Sequence, residues 1–357
     1  MKTLSLCMIV KNEEDNLENC LKNSSIYADE IIIVDTGSSD KTKEIAKKFT
    51  DKIFDFNWCD DFSKARNFSF EQASCDYCMW LDGDDFLTDE SANKIKCWKE
   101  AGEECDVLMC PYVAGFDENL NPTFKYLRER IVKNNKDFRW HDRVHEVIVP
   151  SGWIVTKDEI LIYHNKKSEK YSDRNLMIYK KMIALGETFS PRNQFYYARE
   201  LYFNKLYDEA IHEFSKFLTE GKGWKENKIE ACLNMARCYK QKGQKENALT
   251  TLLGSFIYDL PRGEILYEIA NIFFEKNEYE NAIYWYKKAL ESNDEIKSGA
   301  FINSDASTFF PALQLCNCYD KIGDKINAYH YHQIAKFYKP ESGAVKQNDK
   351  YFSQFFK

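Results

Sequence analysis

Apolar and polar positions follow two different periods along the chain, and the change falls near residue 165. Before it, short apolar runs alternate with polar, turn-rich stretches. The runs cover residues 4–10, 31–34, 77–81, 107–110 and 160–163. Helical patterns lie between the early runs, at residues 13–24, 41–49, 63–73 and 91–101. Continuously apolar strands that alternate with helices predict a mostly parallel sheet covered on both faces, so we expect an α/β domain over residues 1–168.

From about residue 171 the pattern is helical throughout, and it repeats. Four pairs of small residues are each twelve positions apart: Ala198 and Ala210, Ala236 and Ala248, Ala270 and Ala282, Cys316 and Ala328. Small side chains let two antiparallel helices approach closely. The copies resemble tetratricopeptide repeats over residues 190–340, and the long last step predicts an insertion at 292–311. We therefore expect an all-α solenoid over residues 169–357.

Two roles remain open for this helical half. It either holds the protein together or joins it in a homodimer, or it is a platform that binds a peptide or another protein.

Composition excludes several classes of protein. The formal charge of −7 argues against a broad nucleic-acid-binding surface. The first apolar run is far shorter than the roughly 20 residues that cross a bilayer, so we expect no membrane span, no signal peptide and a cytoplasmic location. The 12 cysteines are then expected to be reduced thiols.

Three polar segments follow predicted strands, at residues 10–14, 34–40 and 81–85. In open α/β sheets this edge binds ligands. Each segment also has a structural explanation: residues 35–40 suit a turn and a helix cap, and the last Asp of Asp82-Gly83-Asp84-Asp85 suits a cap of the next helix. The glycine-rich fingerprints of ATPases and dinucleotide-binding proteins are absent from the sequence.

Taken in order, four stretches resemble glycosyltransferase family 2, whose fold is called GT-A. They read LSLCMIVKNEEDNLENCL, DEIIIVDTGSSDKTKEIA, WCDDFSKARNFSFEQA and CMWLDGDDFL, within residues 4–90. The resemblance implies a UDP-sugar donor and a bound Mn²⁺ or Mg²⁺, which takes oxygen ligands and stabilises the departing diphosphate.

The same resemblance implies roles for individual residues. Asp84 would coordinate the metal, and Asp82 would bind the ribose or share the metal. Asp35 would contact the base, while Asn12 and Glu13 would flank the uridine. Arg66 and Asn67 match another pair on the donor side.

An inverting transferase also needs a base that takes the proton of the acceptor. The dense polar segment Trp140 to Glu146 is where we expect it. Glu146 is the first candidate and Asp142 the second, with His145 lining the pocket. A salt-bridged edge strand is the alternative for this segment.

His164 resembles the late histidine that completes the metal site in some GT-A enzymes. A structural histidine is the alternative there.

We therefore expect an inverting enzyme that moves a hexose or N-acetylhexosamine from a UDP-sugar to Cys, Ser or Thr of a peptide or protein. Two alternatives stay open. One is a transferase acting on a cell-surface glycan, and the other is a catalytically inactive repeat scaffold with a nucleotide-binding domain. A nucleotidyltransferase would open with a glycine-rich loop, which Lys11-Asn12-Glu13 does not supply.

Overall fold

A computed structural model describes residues 2–116, 120, 122–165, 173–292 and 303–355. It divides into two compact units, Met1–Glu187 and Thr188–Lys357. The expected boundary between residues 168 and 169 lies outside the described residues and stays a prediction. Among the helices that the structure describes, none has the length and apolarity needed to cross a bilayer.

The first unit is built on one mixed sheet. Its strands are β1 (Leu4–Val10), β2 (Glu30–Asp35), β3 (Ile53–Asp55), β4 (Tyr77–Leu81), β5 (Asp85–Leu87), β6 (Val107–Phe116), β7 (Pro122–Lys133), β10 (Ile154–Thr156) and β11 (Ile162–His164). Within the described residues the order is β3-β2-β1-β4-β7-β6-β11-β5, and β10 also pairs with β6. Two further strands, β8 (Trp140–His141) and β9 (Val147–Ile148), form a small hairpin.

Helices cover both faces of this sheet, as the sequence predicted. The unit contains α1 (Leu17–Leu21), α2 (Thr42–Ala46), α3 (Phe62–Glu71), α4 (Asp89–Ala101) and α5 (Arg174–Ala184). Residues of α1, α2 and α4 pack in one core of the sheet, and residues of α3 pack in the other. Alternate residues of β1 point to opposite faces. Leu6 packs in one core with residues of α1 and α4, whereas Cys7 packs in a second core with Phe70 of α3 and the β8–β9 hairpin.

The sheet is mostly parallel, because five of its eight pairings in the described part of the chain are parallel. The three antiparallel pairings all involve β5 or β7, two strands that the apolar pattern did not predict. The structural alternative for Asp85, a cap of the next helix, is not what the structure shows: Asp85 begins β5, and the hydroxyl of Thr88 caps α4 by accepting from the Ser91 amide.

A fully buried ion pair joins these two strands. Arg130 of β7 donates from Nη1 to Oδ2 of Asp85 at 3.0 Å, and neither side chain has exposed surface. The guanidinium carbon lies 3.7 Å from the ring centre of Trp80 and 4.3 Å from that of Tyr112. Because charges are costly to bury, each member of this pair depends on the other.

The second unit consists of helix pairs, which confirms the predicted repeats. The helices are α6 (Pro191–Phe203), α7 (Tyr207–Glu220), α8 (Lys225–Gln241), α9 (Lys245–Gly254), α10 (Gly263–Glu275), α11 (Tyr279–Glu291), α12 (Phe309–Lys321), α13 (Lys325–Tyr338) and α14 (Gly343–Phe352). All eight small residues of the repeat pattern are buried, with at most 3% of their surface exposed. Half of the predicted insertion at 292–311, residues 293–302, lies outside the described residues.

Each helix pair turns through a residue in the left-handed conformation, seven positions after the first small residue. The four are Lys205, Gly243, Asn277 and Gly323, with φ between 62° and 86°. Glycine adopts this conformation without steric cost and asparagine tolerates it, but lysine is strained there. Lys205 is therefore the least suitable residue of the set.

We predict that Arg130→Met destabilises the protein by about 3–5 kcal/mol, because it leaves the Asp85 carboxylate buried without its counter-charge. Asp85→Asn combined with Arg130→Met should recover part of that loss. Urea unfolding of both variants measures this. The matched control is Lys181→Met, which breaks the exposed ion pair with Asp60 and should cost no more than about 1 kcal/mol. Equal losses in Arg130→Met and the control would contradict the account.

Lys205→Gly should stabilise the helical unit by about 0.5–1 kcal/mol, since it relieves the left-handed strain of a turn that glycine already occupies in two other repeats. The converse change, Gly243→Lys, should destabilise by a similar amount. Helical circular dichroism during urea unfolding follows both. A destabilised Lys205→Gly variant would show that the lysine side chain contributes more than the strain it causes.

Candidate active site at the carboxyl edge of the sheet

A cavity of about 440 Å³ opens where β1 and β4 end. The segment after β1 contributes Lys11 and Glu13 to its lining, and the segment after β4 contributes Asp82, Gly83 and Asp84. Helix α3, strand β7, residues 144–146 and His164 complete the wall. The carboxyl ends of parallel strands thus gather the acidic residues at one edge, as expected for an open α/β sheet.

The turn from Asp82 to Asp85 is held by its own last residue. The amide of Asp82 donates to Oδ2 of Asp85 at 3.0 Å, and the amide of Asp85 donates to the carbonyl of Asp82 at 3.0 Å. Tyr112 donates its hydroxyl to the other oxygen of Asp85 at 2.8 Å. The buried Arg130–Asp85 pair therefore fixes the backbone that presents Asp82 and Asp84 to the cavity.

Packing, and not the backbone angle, requires a glycine at position 83. A Cβ at this position would meet Cγ of Glu13 at 2.5 Å, so a side chain there would displace Glu13. Burial, and then the charges of Asp84 and Asp82, raise the pKa of Glu13. The glycine thus lets a third carboxylate approach the turn.

Strand pairing brings His164 to the same turn. β11 runs antiparallel to β5 with His164 opposite Asp85, and the amide of Asn165 donates to the carbonyl of Asp84 at 2.8 Å. Nδ1 of His164 lies 3.5 Å from Oδ1 of Asp84 and 3.4 Å from Oδ1 of Asp85. That nitrogen is buried, and the described residues offer it no hydrogen-bond partner of good geometry.

These residues fit a divalent cation. The oxygens of Asp84 and Asp85 and a nitrogen of His164 lie within 4.8 Å of one another. Asp85 is already paired with Arg130, so Asp84 and His164 are the ligands best placed to hold a metal. Burial lowers the pKa of His164, but the two carboxylates outweigh it and raise that pKa to about 10, which shows how negative the site is.

A single guanidinium joins two carboxylates that both line the cavity. Arg66 donates from Nη2 to Oδ1 of Asp82 at 2.6 Å and from Nε to Oε1 of Glu146 at 2.7 Å. Burial raises the pKa of Asp82, but the charges of Arg66 and Arg130 outweigh burial and lower it to about 2. Asp82 is therefore ionised and held in place at neutral pH.

The other residues predicted for the donor side have structural partners. The Asp35 carboxylate accepts from the amides of Gly37 and Ser38 at 3.1 and 3.0 Å, and Asn12 accepts from the Ser39 amide at 2.9 Å. Neither Asp35 nor Asn12 is among the described residues that line the cavity, whereas their neighbours Thr36, Lys11 and Glu13 are.

Asn67 also lies outside this lining. Its amide group pairs with the backbone of Trp140.

Of the candidate bases, the structure brings Glu146 closest to the acidic turn. Glu146 and His145 line the cavity, and the Glu146 side chain is 12% exposed. Asp142 is not among the described lining residues. Asp142 and His145 both have positive φ, 72° and 53°, which is strained for such residues and is often found at functional sites.

Sequence analysis missed several lining residues. Trp58 and Phe62 form an edge-to-face pair with ring centres 4.7 Å apart, and the guanidinium of Arg174 lies 4.7 Å from the Phe62 ring. Arg128 comes from β7. Trp58 and Phe62 stand in the motif that contains Arg66 and could have been considered, whereas a polar, unpredicted strand gave no signal for Arg128.

Comparison with known families agrees with this geometry. The model of glycosyl transferase family 2 matches residues 5–159, and the tetratricopeptide repeat model matches residues 229–253 and 263–295.

The chain is also similar in sequence to three curated relatives. A TPR repeat-containing protein of Synechococcus elongatus is 33% identical over 153 residues, which cover 42% of this chain and 36% of the relative. The SPbeta prophage-derived glycosyltransferase SunS of Bacillus subtilis is 27% identical over 236 residues, 62% of this chain and 54% of the relative. The lipopolysaccharide core biosynthesis glycosyltransferase LpsC of Rhizobium meliloti is 24% identical over 263 residues, 68% of this chain and 94% of the relative.

The chain thus spans about a third and about half of the lengths of the first two relatives. The family matches agree in position with the α/β unit and with the helix pairs. Residues 5–159 therefore form a domain of glycosyl transferase family 2 with the GT-A fold, and tetratricopeptide repeats follow it in the chain.

Proposed function

We propose that this protein transfers a hexose or N-acetylhexosamine from a UDP-sugar, with inversion, to a peptide or protein side chain. One observation carries the proposal: a candidate cation site at Asp84 and His164 and a candidate base, Glu146, line the same cavity. A sugar placed between them would have its leaving group on the metal side and its acceptor on the base side. That arrangement is the one a single displacement requires.

On the leaving-group side, Asp84 and His164 would hold Mn²⁺ or Mg²⁺. A divalent cation bound there would offset the negative charge that collects on the departing diphosphate. Asp82 would bind the ribose or share the metal, and its low pKa keeps it ionised for either role. Thr36, Lys11 and Glu13 would border the nucleoside, with Asp35 and Asn12 shaping the loops that carry them.

On the acceptor side, Glu146 would take the proton of the attacking group. Arg66 binds its Oε1, so Oε2 is the oxygen expected to accept the proton. Asp142 remains the second candidate. His145 borders the same space and would help to shape it.

Cysteine, serine and threonine are the proposed acceptor residues. The tetratricopeptide repeats support a peptide or protein acceptor bound by the helical unit. The likeness to LpsC, which extends over 94% of that relative, supports a glycan acceptor as the second candidate. The cytoplasmic location and the homodimer stay predictions.

Release of UDP from UDP-glucose and UDP-N-acetylglucosamine tests the proposal, with Mn²⁺ and with a chelator. We expect turnover of at least one donor, and we expect chelation to abolish it. A protein that binds neither donor, or that turns one over equally well under chelation, would overturn the proposal.

Asp84→Asn should reduce UDP release by more than about 100-fold and weaken the activation by Mn²⁺, because the neutral amide is a poorer ligand for a hard cation. Its melting temperature should stay near that of the wild type, since Asp84 is only partly buried and the ion pair beneath the turn persists. The control is Asp51→Asn, an exposed aspartate at another edge of the sheet. Loss of folding in Asp84→Asn would show a structural role instead.

Glu146→Gln should reduce transfer by about 10²–10⁴-fold, the usual contribution of a general base, while Asp142→Asn should cost less than about tenfold. UDP binding, measured by calorimetry, should change little in either variant because neither side chain is assigned to the nucleotide. The reverse ranking of the two variants would make Asp142 the base.

A further inference from the structure

Helix α3 contacts the segment from Trp140 to Glu146 at three points. Asn67 donates from its amide nitrogen to the Trp140 carbonyl at 2.9 Å and accepts from the Trp140 amide at 2.9 Å. Near the start of the helix, the Phe62 amide donates to the Arg143 carbonyl at 2.9 Å. One turn further on, Arg66 binds the Glu146 carboxylate. Each of these bonds crosses at least 73 positions of sequence, so they fix tertiary structure.

Arg66 borders the cavity, but its side chain is held on several sides. It is 7% exposed, and its guanidinium carbon lies 5.1 Å from the ring centre of Trp80 and 4.7 Å from that of Trp140. Its Nε and Nη2 atoms are committed to Glu146 and Asp82. A buried guanidinium held between two carboxylates and two indole rings is a rigid spacer, because moving it would unpair buried charges.

The segment that α3 contacts needs external support. Asp142 and His145 both adopt left-handed backbone angles, which are strained for residues with a side chain and persist only where the surroundings impose them. The short β8–β9 hairpin that flanks them consists of only two residues per strand. The contacts from α3 supply the constraint that the hairpin lacks.

We infer that Arg66 and Asn67 are positioning residues that dock the base-bearing segment, and that they do not bind the sugar nucleotide. This inference rests on the proposed function, because it takes Glu146 to be the base. It replaces the role on the donor side that the family resemblance implied for this pair. Arg66 additionally sets the separation between Glu146 and Asp82, hence between the acceptor side and the leaving-group side of the cavity.

The two roles predict different kinetics. Removal of a residue that binds the donor raises the Kd for UDP, and the resulting loss of rate multiplies with the loss caused by removal of the base. A residue that only positions the base leaves the Kd for UDP nearly unchanged, and its removal has little further effect once the base is gone. Displacing a reacting group by about 1 Å costs roughly 100-fold in rate.

The experiment is a double-mutant cycle of Asn67→Asp with Glu146→Gln. Asn67→Asp keeps the size of the side chain but loses the donor to the Trp140 carbonyl. In the wild-type background, we expect Asn67→Asp to lower kcat for UDP release by about 10–100-fold. In the Glu146→Gln background, the same change should lower kcat by less than about threefold. The Kd for UDP should change by less than about threefold. Arg66→Lys, which keeps the charge but cannot bridge both carboxylates, should likewise lower kcat in the wild-type background and cause less than about threefold further loss in the Glu146→Gln background.

Lys64→Gln is the matched control, since Lys64 lies on the same helix with its side chain 64% exposed. It should leave kcat and UDP binding unchanged. A tenfold weaker affinity for UDP in Asn67→Asp, or losses that multiply across the cycle, would overturn the inference and restore a contact with the donor.

Amide hydrogen exchange of residues 141–147 gives a readout that does not need turnover. Exchange there should speed up by at least about tenfold in Asn67→Asp and not in Lys64→Gln, while strand β1 stays protected in both. Unchanged exchange in Asn67→Asp would overturn the docking role. If the wild-type protein releases no UDP from either donor, the proposed function fails, and the exchange result alone then decides whether α3 holds this segment.

Discussion

Electrostatic repulsion among carboxylates is the constraint on which this structure depends. Glu13, Asp82, Asp84, Asp85 and Glu146 meet at one edge of the sheet, where like charges would drive one another apart or take up protons. Two buried arginines prevent this, because Arg130 neutralises Asp85 below the turn and Arg66 joins Asp82 to Glu146 beside it. Asp84 keeps no arginine partner of this kind among the described residues, and together with His164 it faces the cavity.

The fold explains how these charges come together. Parallel strands β1 and β4 deliver the acidic segments to their shared carboxyl edge, and the antiparallel β5–β11 pairing places His164 against the turn. Strand β7, inserted between β4 and β6, carries Arg128 and Arg130 past the Trp80 ring. The segments that follow the parallel strands thus carry acidic residues of the site, and the antiparallel strand β7 carries two of its arginines.

Sequence patterns predicted those parts whose burial follows hydropathy. The strands β1 and β4 and the small residues of the helix pairs are apolar or tiny, so their positions were visible. Strand β7 was missed because Arg128, Glu129 and Arg130 look like a solvated stretch. The charge of Arg130 is offset by Asp85, 45 positions away, and that of Arg128 by its neighbour Glu129. The motif around Arg66 likewise indicated a functional residue but could not identify Glu146 as its partner, because the two residues lie 80 positions apart in the sequence.

The most direct test of the central claim is a crystal structure with Mn²⁺ and UDP, phased to locate manganese by anomalous scattering. The account predicts a manganese peak within about 2.3 Å of a carboxylate oxygen of Asp84 and of His164 Nδ1, with the diphosphate on its open side. UDP bound in the cavity with no manganese there, or with the metal held elsewhere, would contradict it.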